Sequence, residues 1–170
     1  MARMTPRHWD AHGPDDDLAD LAGLAGTPIR SPTEASRVLR LLVGPESRGP
    51  AALWCVLLDA DDRLLPFVLA ISDRPLAPDA GFADLLCDDL ASLLEHHAVG
   101  GSVVAALVGD ADEDVCDQLT WSTALERSAE RAGVPLAAVV TVGPHGPTVL
   151  VPWTPSGCSG EPDPGGWPEG

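Results

Sequence analysis

The chain contains no lysine: its ten basic residues are all arginine, set against 26 Asp and Glu, for a net charge of −16. That absence excludes a P-loop, whose phosphate cradle needs a lysine. Scarce positive charge argues against nucleic acid, because binding phosphate takes a basic patch. An anionic membrane surface would repel the chain for the same reason. Long apolar runs are missing too. No stretch approaches the roughly 18 apolar residues of a membrane-crossing helix. The opening MARMTPRHWDAHGPDDDL has two arginines but no apolar h-region, so it does not read as a signal peptide. A cytoplasmic protein is expected. There is no C-x-x-C pair, no G-x-S-x-G elbow and no dinucleotide fingerprint. Cys55, Cys87, Cys116 and Cys158 stand singly, which points to free buried thiols rather than a disulfide framework.

What remains is enough for one globular domain. Of 170 residues, 45% are hydrophobic, and domains typically run about 100–200 residues. Abundant Ala, Arg, Asp and Gly fit a GC-rich bacterial gene. Residues 1–27 read as a flexible lead-in with a short helix over 16–25, started by Asp15–Asp17 and stopped by Gly26. Ser31-Pro32-Thr33-Glu34 has the form of a capping box with proline at the first helical position. It opens a helix over 32–43 with Val38, Leu39, Leu41 and Leu42 as its apolar residues. Residues 52–58 and 64–71 are apolar runs joined by the acidic turn 59–63, the pattern of a hairpin. Their near-continuous hydrophobicity predicts cover on both faces, and Pro66 pushes the second run to an edge or a bulge.

Helical spacing returns over 79–97 with Phe82, Leu85, Leu86, Leu90, Leu93 and Leu94, and Gly100-Gly101 ends the segment. Ser102–Val108 reads as a buried strand. The acidic loop 110–117 leads into a helix over 115–132, capped by Asp112 or Asp114, with Leu119, Ala124, Leu125 and Ala129 as its stripe. Strands over 136–142 and 148–151 follow. Residues 152–170 form an acidic, Pro/Gly-rich tail expected to be disordered. Trp54 and Trp121 read as core. Trp9, Trp153 and Trp167 lie in the terminal segments, where a tryptophan can anchor a partner or do nothing. The order α-α-β-β-α-β-α-β-β predicts a single α/β (α+β) domain with a mixed sheet flanked by helices.

That order, and some of the wording, resembles the RadC-type JAB/MPN (JAMM) domain, a zinc-metallopeptidase-like fold related to the cytidine deaminases. The resemblance spans about 28–151. It is carried by Ile29–Ala35, by the hairpin Leu53–Leu64, by the strand Ser102–Val108, and by Leu125–Gly133 with Val134-Pro135-Leu136 and Val139–Gly143. It implies a zinc site made by an H-x-H pair after the strand, an Asp a helical turn beyond a Ser, and a glutamate base from another strand. Zinc needs such imidazole and carboxylate donors to converge, with one position left to water. Here the H-x-H positions fall on Leu107 and Gly109. Counted forward, the Ser falls on Asp117 and the Asp on Thr120; counted back from Ala132-Gly133, the Asp falls on Ser122. The strand 64–71 has no carboxylate, and Asp73 lies just past it. The resemblance therefore implies the scaffold without its zinc site, with no catalytic residue and no cofactor.

Other chemistry-bearing groups have a plain reading beside a functional one. Asp110, Asp112, Glu113, Asp114 and Asp117 could hold a hard cation, though the Gly and Glu of an EF-hand are missing; otherwise they form a solvated loop whose last Asp caps a helix. His96 and His97 sit at a helix C-terminus, which favours histidine. Adjacent helical residues diverge by about 100°, so they need partners such as His145 or Asp110 to hold a metal. Cys116 and Cys55 have no adjacent base or positive field to make them nucleophiles. Three readings follow. The first is a catalytically inactive RadC/JAB-like domain that acts as a protein-binding or regulatory module. The second is a metal-dependent hydrolase whose site has migrated to His96 or His97 with Asp110, Asp112, Asp114 and Asp117. The third is an unrelated small α/β binding module.

Overall fold

The computed structural model describes residues 23–44, 50–75, 77–109, 114–143 and 146–151. They form helices α1 (Pro32–Val43), α2 (Ala80–His97) and α3 (Val115–Ala132) and strands β1 (Ala52–Leu58), β2 (Leu64–Ser72), β3 (Ser102–Val108), β4 (Leu136–Gly143) and β5 (Gly146–Val151). The strands make one mixed sheet in the order β2-β1-β3-β4-β5. β1 runs antiparallel to both β2 and β3, β3 and β4 are parallel, and β5 folds back antiparallel on β4. A hairpin thus comes first, then two helical crossovers, then a second hairpin. Among the described residues, no helix is long and apolar enough to cross a membrane.

Each central strand alternates between two cores. Trp54, Val56, Val104, Ala106, Ala138 and Val140 face α1, which brings Ala35, Val38, Leu39 and Val43. Leu53, Cys55, Leu57, Val103, Ala105, Leu107 and Val139 face α2 and α3. A strand covered on both sides must be apolar at every position, and β1 and β3 are buried along their whole length. β2 departs from that expectation. It is the outer strand, it is only partly covered, and Phe67 is exposed. Pro66 lies where the β1–β2 register slips, between Val56↔Val68 and Leu58↔Leu64, so the strand carries both the edge position and the irregularity that a proline requires.

Helix starts follow the sequence closely. The Ser31 Oγ accepts from the Glu34 N–H at 3.3 Å, but the Glu34 carboxylate accepts from the Arg30 N–H at 2.7 Å, one residue before the cap. Asp79 caps α2, and Asp114 rather than Asp112 caps α3. α2 closes at Ala98, whose N–H donates to the Leu94 carbonyl, before the two glycines. β5 begins at Gly146, two residues earlier than the apolar run suggests.

Helix faces need more correction. Leu41, Leu85 and Leu119 were expected in the stripes but are 62%, 63% and 49% exposed. Each lies two residues from a buried position: Leu39 and Val43, Ala83 and Cys87, and Trp121. Two residues are about 200° around a helix, so these leucines point outward. The places inward go instead to small or polar residues, including Ser122 and Ser128 on α3.

Residues 23–29 belong with the hairpin. Gly23 and Leu24 are helical, and Leu24 packs on the α1-side core. Gly26, at φ +78°, ends that turn. The Gly26 N–H donates to the Leu64 carbonyl at 2.8 Å, the Leu64 N–H to Thr27 at 2.9 Å, and the Ile29 N–H to Asp62 at 2.7 Å. Residues 16–22 of the expected first helix, and the tail from 152, lie outside the described residues.

Candidate functional site

The carboxyl end of β3 is where the resembled family would build its metal site. β3 ends at Val108, and Gly109 continues it by donating its N–H to the Val142 carbonyl at 3.4 Å. Leu107 is wholly buried in the core under α2 and α3. Its side chain is hydrocarbon, and Gly109 has none, so neither matched position supplies a lone pair. Thr120 is exposed and donates its Oγ1 hydrogen to the Cys116 carbonyl of its own helix at 2.7 Å. Ser122 is buried and donates to the Glu126 Oε1 at 3.3 Å. Asp117 sits in the first turn of α3, half-buried, where a carboxylate suits the helix dipole. Asp73 is exposed beyond β2 with φ +57°.

An aromatic and a cation fill this end instead. Trp121 is fully buried and donates its indole N–H to the Pro75 carbonyl at 2.9 Å. Phe82 meets it edge to face, with centroids 6.0 Å apart. Arg74, 3% exposed, lies with its guanidinium carbon 5.1 Å from the Trp121 ring centre, and its Nε donates to the Ala52 carbonyl at 3.4 Å. Taking a guanidinium out of water costs several kcal/mol; the ring face and the carbonyl offset part of it. Trp121 was expected in the core, but Arg74 was not foreseen. Its only signal is being the single cation between β2 and α2, and what buries it lies far along the chain.

The histidines sit elsewhere. α2 ends at His97 and β3 begins at Ser102, whereas Asp114 and Asp117 follow the other end of β3. Seven residues of strand separate the two ends by about 20 Å. Both imidazoles are exposed, their ring centres are 6.5 Å apart at 49°, and His96 Nδ1 is 2.6 Å from the Ser92 carbonyl oxygen. The structure thus does not bring His96 or His97 to Asp114 and Asp117. Asp110, Asp112, Glu113 and His145 lie outside the described residues. Among the described residues, no group of three or more His, Cys, Asp or Glu side chains is placed to hold a metal ion. Asp114 spends its carboxylate on the Cys116 N–H at 3.2 Å.

The thiols divide by position. Cys55 on β1 and Cys87 on α2 are buried and unbonded; Cys116, expected to be buried, is exposed on the first turn of α3. Cys158 lies outside the described residues. Burial, with a smaller push from Cys87, raises the Cys55 thiol to about 12. Burial and then the Asp84 and Asp88 carboxylates raise Cys87 to about 11, against a lowering by Arg131. Both stay protonated at neutral pH and make poor nucleophiles.

One polar cluster escaped the sequence. Ser128 Oγ donates to Asp84 at 2.7 Å, and Arg131 donates to both Asp84 and Ser128 Oγ. A serine beside a carboxylate suggests acyl chemistry, but that needs a base that can take the proton and a hole for the oxyanion. Here the carboxylate is held by the guanidinium, and the three groups tie α3 to α2. Compared with known proteins, the chain matches no family model, no curated sequence and no solved structure.

Proposed function

We propose that this chain is a JAB-like domain without a zinc site that works by binding another protein. The observation that carries the reading is Leu107. A buried leucine stands at the first position where the resemblance expects an imidazole, packed in one core with Trp121. The hairpin-then-crossover order of the sheet supports the scaffold half of the proposal, and a sheet without it would have favoured an unrelated module. The distance of the histidines from Asp114 and Asp117 gives the migrated hydrolase no support among the described residues.

The charge indicates the partner's chemistry. α2 has no Lys or Arg along its length, and with Asp84 already held by Arg131 it leaves Asp88, Asp89 and Glu95 to a partner. A partner with an arginine- or lysine-rich surface meets a favourable field there.

The test has two arms. Full-length protein purified without chelators is assayed for metal and, in host extract, for capture of a partner. We expect no stoichiometric zinc. We also expect a captured protein that high salt releases and that the Asp88→Arg, Asp89→Arg double variant no longer retains while its circular dichroism is unchanged. One tightly held zinc per chain, lost in Asp117→Ala or His97→Ala, overturns the reading. Undiminished capture by the double variant overturns the assignment of α2.

A further inference from the structure

We draw no further inference here: the strongest candidate, the outer edge of β2 from Phe67 to Ser72 with its uncharged side chains, carries none because nothing among the described residues shows what covers it.

Discussion

At its amino end β3 starts from Gly101 and Ser102, pressed against the last residue of β1; at its carboxyl end it runs out through Leu107, which shares a core with Trp121, and Gly109. The first end is closed by backbone. A Cβ on Gly101 would stand 2.0 Å from the Leu58 carbonyl oxygen and 2.9 Å from that of Ala98. The second end is closed by side chains, with Trp121 reaching the Pro75 carbonyl and Arg74 lying on its ring. Backbone contacts admit no gradual change, whereas side-chain contacts can be traded one at a time. The end where the resembled family keeps its chemistry is thus the end that substitution can remodel without unmaking the sheet.

Gly101→Ala breaks this comparison most severely. Nothing flexible can yield around the new methyl group, so a loss beyond about 4 kcal/mol is expected, read as a collapse of the urea midpoint. An unchanged midpoint would show that the strand does not start so close to Leu58. Trp121→Ala attacks the other end. It opens a cavity in the core under α2 and α3 and strips Arg74 of its ring, with an expected loss of about 3–5 kcal/mol. Trp121→Phe should recover part of that loss, since it keeps a ring but not the indole hydrogen bond.

The two buried thiols sharpen the comparison through pH. Cys55 lies mid-way along β1, and Cys87 is on the helix beside it. Their folded values of about 12 and about 11 stand above the ordinary 9.0. The unfolded chain therefore loses its thiol protons first as pH rises. The stabilising contribution is complete below pH 9 and declines from there toward 11 and 12, by up to about 1.4 kcal/mol per pH unit for each thiol. Denaturation series at pH 8 to 11 should show this decline, and Cys55→Ala should make it shallower. An identical slope in that variant would mean that Cys55 is not buried. The smallest effect belongs to Asp114→Ala. Loss of the α3 cap should cost about 1 kcal/mol, measured as a lower midpoint with the sheet intact.

Much of the fold was legible because several signals agreed at the same residues. Ser31-Pro32 with Glu34, the turn at 59–63 and the paired glycines at 100–101 mark boundaries by local backbone chemistry, and the structure places boundaries at or near each. Faces were harder. Leu41, Leu85 and Leu119 are the right residue type in the wrong phase, and their exposure follows from angle rather than hydrophobicity. Ser128 was invisible because its place inside depends on Asp84, on a different helix. Arg74 was hidden for the same reason: its burial is decided by Trp121, which comes beside it only in the folded chain. Of the proposed metal ligands, the separation of His96 and His97 from α3 could have been read from the element order. A strand between them in sequence puts them at its opposite ends.

The position of β1 between β2 and β3 has a consequence for the order of folding. The turn at 59–63 lets β1 and β2 meet at once, but the other side of β1 waits for β3, which arrives only after α2 has been made. In that interval β1 is itself an edge: seven apolar residues, ALWCVLL, with an unpaired row of backbone groups. Such a strand is a template for misassembly with other chains. Residues 1–101 already carry 16 Asp and Glu against 8 Arg, a net charge of −8, which keeps copies of the nascent protein apart by mutual repulsion until β3 closes the sheet.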